Sequence, residues 1–139
     1  MYNKDGSLKL ECEIIYWLLK EFNFKKPCFR EVTYENGTLN KQKLVYCNSS
    51  YYKLDFYDED SNFAVEIYGD YWHANPQFFC KDFLVERSKQ TANQIWSKDL
   101  MRKGEIINKL NCKFLVIWEH DFLVNREQLK ERIKYEIEN

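Results

Sequence analysis

The spacing of apolar residues along the chain alternates between helical and extended patterns. Apolar positions three and four residues apart predict helices over 8–22, 91–110 and 125–138. Extended runs, the first two joined by an Asn36-Gly37 turn, are predicted over 28–34, 42–47, 51–58, 62–68 and 113–118. The last run is nearly all apolar, which is typical of a central strand beside a crossover helix. This order predicts an α/β fold in which helices sandwich a mixed β-sheet.

The composition narrows the class of protein without identifying it. A chain of 139 residues, 45% apolar and 31% charged, is expected to form a single domain over 1–139. Five cysteines, an odd number with no CxxC pair and no signal peptide before them, indicate reduced thiols and a cytoplasmic location. No apolar run reaches the roughly 18 residues of a membrane span. A net charge of −1 excludes a protein that coats polyanions in general. The segment 81–110 contains seven basic and four acidic residues, so a local basic patch is still possible.

Two carboxylates lie inside predicted strands, where a charge is costly to bury. Asp55 and Glu66 each stand between two apolar residues, eleven residues apart across one turn. Neighbouring antiparallel strands would bring them side by side, and a Mg²⁺ ion would relieve their repulsion. On the spacing alone, carboxylates that face water or pair with lysine are an equal alternative.

Three further polar residues are candidates for the same site. His73 follows directly on the second of these strands, where a neutral imidazole can take a proton from water. Asp99 lies on the second predicted helix, either as the partner that orients a histidine or as a surface partner of a basic residue one turn later. Glu11 falls on the apolar stripe of the first helix, so either it faces a polar site or the helix is rotated to expose it.

Four segments together resemble the endonuclease branch of the PD-(D/E)XK superfamily. They are 54–56 (LDF), 65–73 (VEIYGDYWH), 96–102 (WSKDLMR) and 114–119 (FLVIWE). Their combination in this order is more specific than any one piece. More narrowly, the chain resembles the very-short-patch-repair (Vsr) mismatch nickases and the phage homing endonucleases with an E…D…H…D pattern. The resemblance implies a restriction-endonuclease-like, Vsr-like core.

The resemblance also implies a role for each of five residues. Asp55 and Glu66 would form the metal site, with Mg²⁺ as the ion and Mn²⁺ as its substitute. His73 would act as general base on the attacking water, and Asp99 would hold its tautomer through a hydrogen bond. Glu11 would be the helix glutamate near the metal-bound water.

Two positions leave part of this assignment open. Glu13 is the alternative to Glu11, because the register of the first helix is loose at its N-terminus. Tyr68 stands where the superfamily pattern has its lysine. The usual role of that lysine is therefore in doubt, and His73 is the substitute that the resemblance offers.

Aromatic and basic residues near these segments are the expected DNA contacts. Tyr71 and Trp72 match aromatics that wedge into DNA in the mismatch nickases, although a core role is as good an interpretation for Tyr71. Lys98, Arg102 and Lys103 on the second predicted helix are candidate phosphate contacts, with a solvated helix face as the alternative.

The chain departs from the mismatch nickases where those enzymes hold a structural zinc. The matching positions are Asp70, Asn75, Gln77 and His120, which are not a zinc ligand set. We therefore expect no structural zinc. Asp70 and His120 are expected to form an ion pair that ties the turn to the last strand.

These observations favour a Mg²⁺-dependent DNA endonuclease of the homing or mobile-element type, acting on double-stranded DNA. Two alternatives stay open: a non-catalytic nucleic-acid-binding module on a nuclease fold, and a DNA repair or junction nickase. The sequence carries no separate recognition motif, so a homodimer or a fusion to a DNA-recognition module is also open.

Overall fold

A computed structural model describes residues 9–29, 42–48 and 50–139. The predicted turn at Asn36-Gly37 lies outside these described residues. The helices are α1 (Leu10–Glu21), α2 (Ala92–Leu110), α3 (Glu119–Val124) and α4 (Arg126–Glu138). The strands are β1 (Pro27–Phe29), β2 (Leu44–Cys47), β3 (Ser50–Lys53), β4 (Phe56–Asp58), β5 (Phe63–Tyr68), β6 (Leu84–Val85), β7 (Gln90–Thr91) and β8 (Lys113–Trp118).

A four-stranded mixed sheet with the order β1-β4-β5-β8 forms the centre of the described fold. Strand β4 pairs antiparallel with both β1 and β5, whereas β5 and β8 run parallel. Parallel neighbours need a long crossover connection, and the chain between β5 and β8 supplies it with α2. The prediction of a mixed sheet with flanking helices is confirmed at this level.

Side chains along β5 alternate between two cores on opposite faces of the sheet. Val65 packs in a core with apolar residues of α1, α3 and α4. Ala64 packs in a second core with Ile106 of α2 and the inner side of the β2–β3 hairpin. Because side chains alternate along a strand, Glu66 and Tyr68 follow Ala64 onto the face that α2 covers. The polar end of β5 therefore meets α2.

Helix α2 begins and ends at residues that satisfy its free backbone groups. Thr91 accepts a hydrogen bond from the Gln94 amide, and the Gln94 side chain accepts one from the Thr91 amide, which is a capping box. Asn111 adopts the left-handed conformation at φ 49° and bonds back to Ile107. The predicted helix end at Asn111 is confirmed.

The predicted strand over 51–58 is wrong in one respect, because it is broken at Leu54 and Asp55. Strand β3 pairs with β2, while β4 pairs in the central sheet. The β4–β5 ladder ends at Phe56, and the Asp55 carboxylate, rather than a strand carbonyl, accepts a hydrogen bond from the Ile67 amide. Asp55 thus lies in the break between two strands instead of inside one.

Two small elements were not predicted from the sequence. The chain between β5 and α2, for which no strand was predicted, contains the β6–β7 pair with its own small core, in which Val85 and Ala92 are fully buried. Helix α3 is a short helix that directly follows β8. Within the described part of the chain, no helix is long and apolar enough to cross a membrane.

Candidate active site

A cleft of about 530 Å³ opens where α1, the β4–β5 pair, α2 and the end of β8 meet. It brings together all five residues that the sequence analysis assigned to catalysis. Its lining residues are Leu10, Glu11, Asp55, Glu66, Ile67, Tyr68, Gly69, Trp72, His73, Asp99, Arg102 and Glu119. Glu13, the alternative to Glu11, is exposed and lies in a different groove.

Asp55 is a partly buried carboxyl close to two other carboxyls. Burial and the neighbouring Glu66 carboxylate raise the pKa of Asp55 to about 7. The Ile67 amide, which donates to Asp55 Oδ2 at 2.8 Å, and a hydrogen bond with Glu11 act in the opposite direction. Near neutral pH, the Asp55 carboxyl is therefore only partly ionised.

Glu66 is buried in an ion pair with Arg102. Nε and Nη2 of Arg102 donate to Glu66 Oε1 at 3.0 and 2.6 Å. The same Nη2 donates to the backbone carbonyl of Lys53 at 2.8 Å, and the guanidinium lies 4.8 Å from the ring centroid of Tyr52. Arg102 was expected as a phosphate contact, but in the structure its guanidinium is directed into the protein.

His73 is held from two sides. Its Nδ1 lies 2.8 Å from Asp99 Oδ2, and its ring stacks on Tyr68 with centroids 3.9 Å apart and planes 4° from parallel. Burial raises the pKa of the Tyr68 hydroxyl well above its usual value. Because a carboxylate only accepts hydrogen bonds, Nδ1 donates to Asp99, and in the neutral form of the imidazole the lone pair is on Nε2. The imidazole is thus oriented with its basic nitrogen free to accept.

The turn that presents His73 is anchored to α2. His73 lies in the turn after β5, and its amide donates a hydrogen bond to the Gly69 carbonyl. Ala74 is fully buried with φ 49°, and its carbonyl accepts a hydrogen bond from Trp96 Nε1 at 2.7 Å. Trp96 and Asp99 are three residues apart on one face of α2. One helix face therefore secures both the turn and the imidazole.

The remaining DNA-contact candidates lie around the cleft mouth or on α2. Trp72 is 52% exposed and lines the cleft, and Tyr71 beside it is 38% exposed. Arg87 lies 6.0 Å from the centroid of the Trp72 ring. Lys98 is exposed, whereas Lys103 is partly buried over the Phe114 ring.

The expected ion pair between Asp70 and His120 is replaced by other contacts. Asp70 Oδ1 accepts hydrogen bonds from the Asn75 side chain at 2.9 Å and from the His120 backbone amide at 3.4 Å. The His120 ring packs edge-on against Phe78. Asn75 in turn accepts from the Gln77 amide at 3.0 Å. The turn is thus tied to α3 through Asp70 and a backbone amide rather than through two charged side chains.

Glu119 is a cleft residue to which sequence reasoning gave no role. It begins α3 directly after β8, and its Oε1 accepts a hydrogen bond from the Asp70 amide at 3.1 Å. A carboxylate at the end of an apolar strand is the signal that would have identified it. Its contact joins the end of β8 to the turn that carries His73.

The residues present fit a magnesium ion held at Asp55. In the parts of the chain that the structure describes, no group of three or more His, Cys, Asp or Glu residues is arranged to hold a metal. Mg²⁺ at phosphate-processing sites takes only one or two carboxylates, together with water and substrate oxygens. Asp55, destabilised as an anion and adjacent to Glu11, fits this role, while Arg102 already neutralises Glu66.

Comparison with protein-family models found no match for this chain, and neither the curated proteins nor the solved structures contained a similar protein. The function is therefore inferred from the geometry of the cleft and from the motifs of the sequence.

Proposed function

We propose that this protein is a Mg²⁺-dependent DNA endonuclease with a restriction-endonuclease-like, Vsr-like core. The observation that carries the proposal is the convergence of Asp55 and the His73–Asp99 pair in one cleft. A carboxylate without a cation partner among the described residues and an oriented imidazole in the same cleft offer two parts that metal-assisted hydrolysis of a phosphodiester uses, a metal ligand and a general base. The mixed sheet with its flanking helices is compatible with a restriction-endonuclease-like core.

His73 is the general base of the proposed reaction. Its Nε2 takes a proton from the attacking water, and the imidazole becomes positively charged. The Asp99 carboxylate, 2.8 Å from Nδ1, stabilises that charge and keeps the tautomer that leaves Nε2 basic. The parallel Tyr68 ring restrains the plane of the imidazole, so that it does not turn away from the water.

Asp55 is the proposed magnesium ligand, with Glu11 beside it at the N-terminal end of α1. A bound Mg²⁺ supplies positive charge to the phosphate and lowers the pKa of a coordinated water. Glu66 forms an ion pair with Arg102, so Asp55 is the carboxylate of the proposed metal site that is left for a cation.

Double-stranded DNA is the proposed substrate. Trp72 at the cleft mouth and the nearby Arg87 offer an aromatic surface and a positive charge to the DNA. The exposed Lys98 on α2 is a phosphate contact in this proposal. A homing or mobile-element nuclease and a repair or junction nickase share this chemistry and differ in the target and the number of strands cut.

A non-catalytic nucleic-acid-binding module is the second candidate, and one observation favours it. Arg102 satisfies Glu66 internally, so the cleft has fewer carboxylates available to a cation than the sequence predicted. Against it stands the His73–Asp99 pair, whose geometry a binding module has no need to maintain.

Cleavage of supercoiled plasmid tests the proposal. The wild-type protein is incubated with plasmid in Mg²⁺ or in EDTA, alongside Asp55→Asn and His73→Ala. We expect Mg²⁺-dependent cutting that EDTA and Asp55→Asn abolish, and a loss of about 10²- to 10⁴-fold in His73→Ala. Nicked or linear product reports the number of strands cut.

Two matched variants control for the loss of a histidine or an aspartate elsewhere. His120→Ala removes the other histidine, and Asp60→Asn changes an exposed aspartate in the β4–β5 turn. Both are expected to cut as the wild type does. Full activity in His73→Ala would refute the general base, and DNA binding without any cutting in Mg²⁺ or Mn²⁺ would favour the binding module.

A further inference from the structure

We propose that the outer face of the β2–β3 hairpin binds unpaired bases of a DNA strand beside the cleft. This hairpin face consists of the outward side chains Leu44, Tyr46, Tyr51 and Lys53. The inference rests on the proposed function for its choice of nucleic acid as the partner. It adds a binding surface for single-stranded segments that is separate from Tyr71 and Trp72 at the cleft mouth.

The hairpin face exposes aromatic rings that contribute little to the core. Tyr46 is 62% and Tyr51 is 51% exposed, and as cross-strand partners their ring centroids lie 5.9 Å apart. The opposite side of the same hairpin packs on α2, where Val45 is 1% exposed. The hairpin is therefore anchored by its inner face, and its outer tyrosines are available to a ligand.

The charge of the hairpin complements a nucleic acid. The segment 42–53 contains two lysines, Lys43 and Lys53, and no acidic residue, in a chain whose net charge is −1. Lys43 lies over the Tyr57 ring, whereas Lys53 is exposed on the hairpin face. Two exposed aromatic rings beside a lysine are the combination that holds single strands, because bases stack on the rings and the lysine contacts phosphate.

The hairpin is fixed in position relative to the cleft. Lys53 precedes Asp55 by two residues, and its carbonyl accepts a hydrogen bond at 2.8 Å from the same Arg102 Nη2 that pairs with Glu66. On the inner side, Tyr52 donates a hydrogen bond to Glu105 of α2 at 2.6 Å. The hairpin that carries this face is therefore attached to residues that line the cleft.

Unpaired bases fit this face better than an intact duplex does. Stacking on Tyr46 and Tyr51 requires the flat face of a base, and in a duplex these faces are covered by neighbouring base pairs. The patch is also sequence-tolerant, since every base offers such a face. A second copy of this chain, paired through the exposed tyrosines, is the competing occupant.

Fluorescence anisotropy with labelled DNA tests the proposal. A 12-nucleotide single strand and the matching duplex are titrated in EDTA, so that binding is measured without cutting. We expect the single strand to bind the wild-type protein, and Tyr46→Ala/Tyr51→Ala to weaken binding by about 10-fold or more. The matching Phe double variant should stay within about 2-fold of wild type, because stacking needs the ring and not the hydroxyl.

Two controls address the fold and the charge. Tyr135→Ala removes a 63% exposed tyrosine from α4 and should leave single-strand binding unchanged. Lys53→Gln should lower the slope of log affinity against log salt by about 0.7, as expected for one lost contact to a single strand. Circular dichroism checks that each variant retains the wild-type structure.

The outcomes separate this inference from the proposed function. Equal single-strand affinity in wild type and the Ala double variant, with plasmid cutting intact, overturns the hairpin face and leaves the endonuclease standing. Loss of single-strand binding in that variant supports the hairpin face even if no condition yields cutting, in which case the endonuclease fails. The inference is also overturned if the wild type sediments as a dimer and the Ala double variant as a monomer, with no change in DNA affinity.

Discussion

Asp55→Asn is expected to make the protein more stable at alkaline pH while it abolishes activity. The asparagine keeps the size of the side chain and can still accept the Ile67 amide hydrogen bond. It removes the negative charge that the cleft holds next to Glu66. The change therefore isolates the free-energy cost of maintaining an ionised carboxylate at this point.

The sign and size of the effect follow from the raised pKa of Asp55. Because its pKa in the folded protein lies above that of an unfolded chain, the folded state binds the proton more tightly. The stabilising contribution of this proton is complete below about pH 4 and is lost as the pH rises to about 7. A rise from 3.8 to about 7 corresponds to roughly 4 kcal/mol at 1.36 kcal/mol per pH unit. Since water reaches the cleft, we expect about 2–4 kcal/mol.

Urea denaturation of both proteins at pH 4.5 and pH 8.5 measures this difference. Asp55→Asn should exceed the wild type in unfolding free energy by about 2–4 kcal/mol at pH 8.5 and by little at pH 4.5. Mg²⁺ at pH 8.5 should stabilise the wild type and not the variant, and EDTA should reverse this. Asp60→Asn serves as the exposed control. An Asn variant that is no more stable than wild type at pH 8.5 would refute the argument that the Asp55 anion is destabilising.

Two further predictions concern the residues around this carboxylate. In urea denaturation, Arg102→Ala should lower the unfolding free energy by about 2–3 kcal/mol, because it leaves Glu66 buried without its partner. The double variant Arg102→Leu/Glu66→Gln should recover most of that loss. Tyr68→Phe should keep the cleavage rate within about 2-fold, whereas Tyr68→Leu should lower it about 3- to 10-fold as the stack on His73 is lost. An equal rate in both Tyr68 variants would contradict the proposed role of the stack.

The elements with strong local signals were predictable from the sequence. Helix α2 has a capping box at Thr91 and a left-handed cap at Asn111, and β8 is a continuous apolar run, so both were predicted within a residue or two. The break before β4 was not predictable, because one aspartate within a stretch rich in tyrosine and phenylalanine does not mark the end of a strand. It arises from a tertiary contact, in which the Asp55 side chain takes the Ile67 amide. The β6–β7 pair is too short to give a pattern.

The composition of the cleft was predictable, but the way its charges pair was not. Spacing across one turn was enough to expect Asp55 near Glu66, and motif order was enough to expect Asp99 near His73. The partner of Glu66 depends on which side of α2 faces β5, and the sequence does not distinguish among the basic residues of that helix. Only the packing of α2 on the sheet selects Arg102.

The ion pair between Arg102 and Glu66 decides how the carboxylates of the cleft are stabilised and which of them is available to a ligand. One internal cation, Arg102, neutralises Glu66, the most deeply buried carboxylate of the cleft, and also fastens the hairpin through the Lys53 carbonyl. Among the described residues no cation forms a salt bridge with Asp55, and burial together with Glu66 raises its pKa to about 7. A structural role alone would favour asparagine at this position, because asparagine carries no charge to bury. An aspartate that costs stability at neutral pH agrees with the proposed magnesium site, in which a cation would offset its charge.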